Sequence, residues 1–267
     1  MKIGLIGYGG IGKEVANYLM SQSSESATLC GILVRDPSKV ATYVPSNVML
    51  TSNPDSFFCM GHDVVIEAAG HEAVRQYGYR TLSCGAHLIL VSAGALADES
   101  LHKDLESAAS KSMKQIIIPS AAIGGLDRIR AASYNEIEEI KLITRKPPAV
   151  WRNSFVEEKV NLDTITEPQC IFEGSAREAS LLFPESVNVS AALSLAGIGF
   201  EKTKVQVYVD PMVNQNTHEI VAKGLFGQIN VQVQNTPLIE NPKSSHIVSM
   251  SIFKAINNLT SPMVLGV

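Results

Sequence analysis

The chain has 267 residues, enough to bury a sizeable core and, by default, to form two domains. With 45% hydrophobic and 18% charged residues it reads as a soluble globular protein, not a disordered one. A net charge of −4 without a basic block gives no support to nucleic-acid binding, so a small anionic ligand would need locally placed cations.

The first predicted element is the apolar strand Lys2–Ile6, which breaks into Gly7, Gly9, Gly10 and Gly12 around Ile11 and turns helical at Lys13. Strand, tight turn and helix start form the dinucleotide-binding pattern. Gly7 permits the turn, Gly9 lets backbone approach a pyrophosphate, and Gly12 lets the helix pack close to the strand. The first N–H groups of that helix and its positive dipole end would face the phosphates. After a polar loop at 21–26, a second strand at 28–34 ends in Arg35-Asp36-Pro37. A carboxylate here hydrogen-bonds the adenosine ribose of NAD, and an arginine neutralises the 2′-phosphate of NADP. Asp36 beside Arg35 therefore predicts use of both cofactors.

A short strand at 48–50 and a helix after Asn53-Pro54 come next, then a nearly continuous apolar run at 63–69, the signature of a strand buried on both faces. That run leads into Gly70-His71 and a helix at 72–83, which puts Ala69 and Gly70 at a ligand-bearing turn. The pattern repeats with a strand at 87–92, a loop at 93–98, a helix at 99–111 and a strand at 115–119. Such alternation predicts an α/β fold with a doubly wound parallel Rossmann sheet whose ligands sit after Ile6, Val34, Ala69, Ser92 and Pro119. The turn at 120–127, with Ala122 near its centre, is the predicted exit from this domain, with backbone amides near the nicotinamide end.

Beyond Glu136 the texture changes. Alternating strands at 140–144, 205–209, 219–223 and 228–234 predict an open, mainly antiparallel sheet in an α+β domain, with an alanine-rich helix at 188–197. A final helix at 244–259, after Asn241-Pro242, is expected to pack back on the first domain. The domains are thus expected at 1–121, dinucleotide-binding, and 122–243, catalytic and dimerising. The open sheet leaves a face to cover, which predicts a homodimer.

If a nicotinamide carries the hydride, the protein must place a substrate carbon and move a proton, a task that histidine suits near neutral pH. His62 and His102 stand in polar surroundings and read as surface residues, and His87 begins a strand and reads as structural. His71 lies at the ligand-bearing edge as a cofactor contact or a helix cap. His218 stands in a polar loop entering a strand; composition alone favours a surface role for it. Basic residues that can hold an anionic substrate are Arg128, Arg145, Lys146, Arg152, Arg177, Lys223 and Lys243, and spacing does not choose among them. No G-x-S-x-G elbow or H-E-x-x-H pattern occurs. Cys30, Cys59, Cys84 and Cys170 lack metal-ligand spacing and read as small buried hydrophobes, so no metal is expected. With no leader pattern and no apolar run near the ~20 residues that span a bilayer, the expectation is a cytoplasmic protein that does not enter the membrane.

Several stretches in order carry a family resemblance: Gly7-Tyr8-Gly9-Gly10-Ile11-Gly12, Ser92-Ala93-Gly94-Ala95-Leu96, Pro119-Ser120-Ala121-Ala122-Ile123-Gly124-Gly125-Leu126-Asp127, Thr144-Arg145-Lys146-Pro147-Pro148, Phe172-Glu173-Gly174-Ser175-Ala176, Phe183-Pro184-Glu185-Ser186-Val187-Asn188-Val189, Leu195-Ala196-Gly197, Asn216-Thr217-His218-Glu219-Ile220 and Asn241-Pro242-Lys243-Ser244-Ser245. Together they resemble the L-aspartate dehydrogenases across nearly the whole chain. The resemblance implies NAD(P)-dependent oxidation of L-aspartate to iminoaspartate, which goes on to oxaloacetate and ammonia or to quinolinate and NAD synthesis. It also implies that His218 is the catalytic histidine and that Asn188 and Ala122 bind the nicotinamide half of the cofactor. Three departures stand out: Ala121 replaces a glycine, Ser186 an asparagine, and Lys243-Ser244-Ser245 a Lys-Thr-Ser. The alternatives are a dihydrodipicolinate-reductase-like enzyme, against which the missing His-His signature speaks, and a non-catalytic NAD(P)-binding sensor or scaffold.

Overall fold

The computed structural model describes residues 1–21, 26–183, 187–238 and 244–266. Ser186, Lys243 and the motif residues at 184–185 and 241–242 lie outside the described residues, as does most of the loop after Ser21. The chain divides into two compact units, Met1–Pro119 joined by the segment from Val248 onward, and Ser120–Ile247.

The first unit alternates strands and helices: β1 (Lys2–Ile6), α1 (Gly10–Ser21), β2 (Thr28–Leu33), β3 (Met49–Thr51), α2 (Pro54–Phe58), β4 (Val64–Glu67), α3 (His71–Ser83), β5 (His87–Leu90), α4 (Glu99–Ser112) and β6 (Ile116–Ile117). Its sheet runs β3-β2-β1-β4-β5-β6 with every pair parallel. Ile3, Leu5, Ile32, Val64, Val65, Ile66, Leu88, Ile89 and Leu90 are all but fully buried, as the unbroken apolar runs require when helices cover both faces. The last strand is shorter than the 115–119 run because it is an edge strand and Pro119 has no amide to extend the ladder.

Two expectations fail here. His62 is not a surface residue: it is 5% exposed, with its ring against Phe57 and beneath Gly4 and Gly31, where only glycines leave room for it. The cysteines are not buried hydrophobes: Cys59, Cys84 and Cys170 are exposed and Cys30 is half-buried, all as free thiols; Cys59 and Cys84 follow the last residues of α2 and α3, Cys170 falls on an edge strand, and Cys30 precedes the part of β2 that β3 covers.

The second unit comprises α5 (Leu126–Ala132), β7 (Ile137–Lys146), β8 (Gln169–Ser175), α6 (Ala176–Leu182), α7 (Val187–Ala196), β9 (Lys204–Val209), β10 (Asn216–Gly224) and β11 (Gly227–Asn235). Its sheet runs β11-β10-β7-β9-β8, antiparallel except for the central parallel pair β7–β9. On one face Ile140, Leu142, Val205, Val207, Ile220 and Ala222 alternate into the core. Gly197, just past α7, leaves no room for a Cβ against Ile140 and so lets the helix end close onto this face. The strand β8 and the helix α6 are not foreseen, since Cys170-Ile171-Phe172-Glu173 does not alternate cleanly; a register shift between Cys170 and Phe172 accounts for it. A capping box between Ser175 and Glu178 then starts α6. The last helix, α8 (His246–Thr260), runs from Ile247 into the first unit, where Phe253 stacks on Tyr18 of α1 at 3.9 Å.

One carboxylate organises the ligand-bearing edge of the first sheet. Glu67 ends β4 and is 1% exposed. Its Oε1 accepts from the N–H groups of Ala69 and Gly70 at 2.8 Å each and from the Ser92 hydroxyl at 3.0 Å, and its Oε2 accepts from the Ser92 N–H at 3.0 Å. A buried carboxylate needs such donors, and they tie the turns after β4 and β5 together. Glu67→Gln keeps the shape but turns one acceptor into a donor facing N–H groups. It is expected to cost about 1–3 kcal/mol in chemical unfolding, and an unchanged midpoint would show that these bonds contribute nothing.

Candidate active site

The three fingerprint glycines occupy distinct environments. Gly7 has φ +96°, and a Cβ there would fall 2.7 Å from the Ala68 carbonyl oxygen. At Gly12 a Cβ would collide with the Gly7 carbonyl, while Gly9 is exposed with nothing within 4 Å of its Cβ position. The two tight positions hold turn, strand and helix together, and the open one leaves backbone approachable where α1 begins with Gly10 and Ile11. No acidic residue stands in the first turn of α1, so nothing there opposes a phosphate.

Arg35 and Asp36 are exposed after β2. Asp36 Oδ1 accepts from the Ser38 N–H at 3.1 Å and from its hydroxyl at 2.6 Å, which holds the carboxyl below its ordinary range. Ala69 is exposed and Gly70, at φ +106°, caps α3 in front of His71, which is the first helical residue and not the cap. These residues share the carboxyl edge of one parallel sheet, and they fit a dinucleotide.

The second unit places His218 differently from the loop expected. It is the third residue of β10, 6% exposed, and directly opposite Thr144 of β7. Their side chains meet: Thr144 Oγ1 lies 3.0 Å from His218 Nδ1. Burial drives the imidazole pKa down to about 3, and the charge of Lys146 pushes the same way. The ring is therefore neutral throughout the physiological range, unlike a histidine in a solvated loop.

Around this pair the end of the sheet face turns polar. Asn216 and His218 lie two apart on β10 and so share a face, and Asn235 of β11 is the register partner of Asn216. Asn235 Nδ2 donates to the Ala122 carbonyl at 2.9 Å, which ties the turn after Pro119 to the same sheet end as His218. The neighbouring Ala121 has φ +49°, a left-handed conformation that explains why a glycine suits this position. Asn188 is half-buried in the first turn of α7. His218 and Ala122 thus belong to the same end of one sheet within one unit, and Gly7, Gly9, Gly10, Ile11, Gly12, Ala69 and Gly70 lie at the strand ends of the other. Glu67 is not singled out from the sequence; the signal that could have found it is a carboxylate inside the apolar run that Asp63 opens. Thr144 heads the Thr144–Pro148 stretch of the family resemblance, but nothing there gives it a role, and nothing in the sequence marks Asn235; both roles depend on strand register.

Family comparison fits this arrangement. A family model described as "Aspartate dehydrogenase, C-terminal" matches residues 127–259, and one described as "Homoserine dehydrogenase, NAD binding domain" matches residues 7–119. The L-aspartate dehydrogenase of Brucella anthropi is 37% identical over 98% of this chain and 97% of its own length. The chain belongs to the aspartate dehydrogenase family. Among solved structures, the aspartate dehydrogenase of Thermotoga maritima aligns with a TM-score of 0.78 at 26% identity over 99% of each chain. A dihydrodipicolinate reductase from Paenisporosarcina, at TM-score 0.55 and 12% identity over 97% of this chain and 94% of that one, shares the fold alone. The aspartate dehydrogenase family therefore accounts for both units of the chain.

The buried imidazole has a consequence for stability. Its folded-state pKa lies below the unfolded value of about 6.5, so below that pH the unfolded chain binds the extra proton. The contribution is fully present above about pH 6.5 and is lost as pH falls towards 3. His218→Asn should flatten the stability slope between about pH 6.5 and 5 by up to about 1.4 kcal/mol per pH unit, read by chemical unfolding of both proteins. Identical slopes would mean that the folded ring protonates as readily as the unfolded one.

Proposed function

We propose that this chain is an NAD(P)-dependent L-aspartate dehydrogenase with His218 as its proton-transfer group. The observation that carries the reading is a buried neutral histidine, hydrogen-bonded through Nδ1, on the strand that bears the family's Asn-x-His-Glu-Ile stretch. Gly7, Gly9, Gly10, Ile11, Gly12, Ala69 and Gly70 would hold NAD(P), and Ala122 and Asn188 are the residues that would serve its nicotinamide half; the cofactor would supply the acceptor for the hydride of L-aspartate Cα. Arg35 and Asp36 together support acceptance of both NAD and NADP.

The chain's own task is proton handling. As hydride leaves Cα, the C–N bond becomes a double bond and the nitrogen must lose a proton to yield iminoaspartate; water then adds to the imine carbon, and the resulting carbinolamine expels ammonia to give oxaloacetate. For His218 Nε2 to take that proton its lone pair must be bare, which requires the proton on Nδ1 and hence donation from Nδ1–H to Thr144 Oγ1. A hydroxyl partner allows this tautomer without the charge that a carboxylate would add. Burial excludes water from the ring and fixes its plane.

No helix among the described residues is long and apolar enough to cross a membrane, and the free cysteines support a reducing cytoplasm. The sheet face opposite His218, with Ile143, Val221 and Tyr208 half-buried, supports a homodimer.

His218→Ala should lower kcat for L-aspartate by at least about 100-fold, followed as NADH or NADPH formation, with D-aspartate and glutamate inactive. Wild-type turnover in that variant would remove the assignment. Because the free enzyme's imidazole is already neutral, kcat/KM should show no histidine limb between about pH 5 and 8. A limb near 6.5 that disappears in His218→Ala would place the working pKa elsewhere.

A further inference from the structure

An anionic substrate needs a cation, and the second sheet separates the candidates. Arg145 lies on the face of β7 opposite Thr144, where it donates to Asp210 at 3.1 Å and covers the Tyr208 ring at 4.4 Å. Arg152 and Arg177 are engaged by Asp163 and Glu201. Lys223 is exposed at the other end of β10, opposite Glu139.

Lys146 differs on three counts. It lies two residues beyond Thr144 on β7 and therefore on the His218 face. Its charge reaches the His218 ring, where it opposes protonation. Its ammonium stands 5.2 Å over the ring of the buried Trp151, a cation–π contact that restrains a long side chain in one place. Diagonal neighbours on paired strands stand about 7–8 Å apart, a span that a four-carbon dicarboxylate bridges with its reacting amine at one side chain and a carboxylate at the other. Continuing the register by one residue brings Lys146 alongside Asn216, whose buried Oδ1 has no hydrogen-bond partner among the described residues. That oxygen is an acceptor suited to an amino N–H.

We propose that Lys146 holds a carboxylate of the amino-dicarboxylate substrate beside His218. The inference rests on the dehydrogenase reading above for the identity of that substrate. It also joins binding to chemistry. Burial is the main reason His218 stays unprotonated, and the charge of Lys146 adds to it; a carboxylate seated on Lys146 cancels that added part, so the ring becomes a better base once substrate is present. An enzyme that leaves this histidine weakly basic until the dicarboxylate arrives spends no proton on an empty site.

The test is calorimetric titration of the NADH-loaded protein with succinate, which has both carboxylates and no amine to oxidise, alongside steady-state kinetics with L-aspartate. Lys146→Met keeps the aliphatic stem on Trp151 and removes the charge; it should weaken succinate binding at least tenfold and raise the KM for L-aspartate by a similar factor. Lys146→Arg, which keeps the charge, should recover most of both and controls for folding. Lys146→Met that binds succinate as wild type does, or wild type that does not bind it, would overturn the proposal. If instead succinate binding depends on Lys146 while L-aspartate yields no NADH or NADPH, the carboxylate site stands and the dehydrogenase reading fails.

Discussion

The register between β7 and β10 governs the chemistry this chain can perform. Thr144 opposes His218 because the ladder runs from Thr217–Arg145 to Lys223–Glu139 without a slip. A shift of one residue would turn His218 out and bring Thr217 or Glu219 in. What holds the register is ordinary: Ile140, Leu142, Ile220 and Ala222 must face the core, and the polar end of the sheet follows from that. The apolar half of the face thus aims the polar half. The central parallel pair with β9 leaves β7 flanked on both sides, so the strand carrying Thr144 and Lys146 is not an edge and cannot fray.

The first unit solves its problem with a single buried anion. Parallel strands end at one edge in turns that have no ladder to satisfy their amides. Glu67 supplies acceptors for three of those amides and for a hydroxyl, so the turns after β4 and β5 are fixed relative to each other without help from a ligand. The fingerprint glycines do the corresponding work after β1, two by permitting contact and one by leaving a gap.

Much of the architecture was legible because burial writes periodicity into sequence. The run at 63–69 and the alternations around 140–144 and 205–209 announced strands, and the glycine spacing announced the turn after Ile6. Legibility failed where a residue's environment is assembled from distant segments. His218 sits among Asn, Thr and Glu in sequence and looks solvated, yet its neighbours in space are Thr144 and the sheet interior, and its proton affinity follows those neighbours. His62 fails in the same way, since the flat space it fills is made by glycines of β1 and β2 far from it in sequence. For β8 the register shift erased the alternation that would have marked it.

The stacking of Phe253 on Tyr18 joins residues 235 positions apart inside one compact unit, and that unit is interrupted by everything from Ser120 to Ile247. A ribosome would therefore release all of β7 to β11 before the helix that completes the nucleotide-binding half could dock. The two halves are consecutive in neither synthesis nor genetics: no single cut separates them, and a fragment ending at Pro119 would expose the face of α1 that α8 covers. Whatever ancestral fusion or permutation is imagined for this architecture, the inserted segment is the one that carries the histidine.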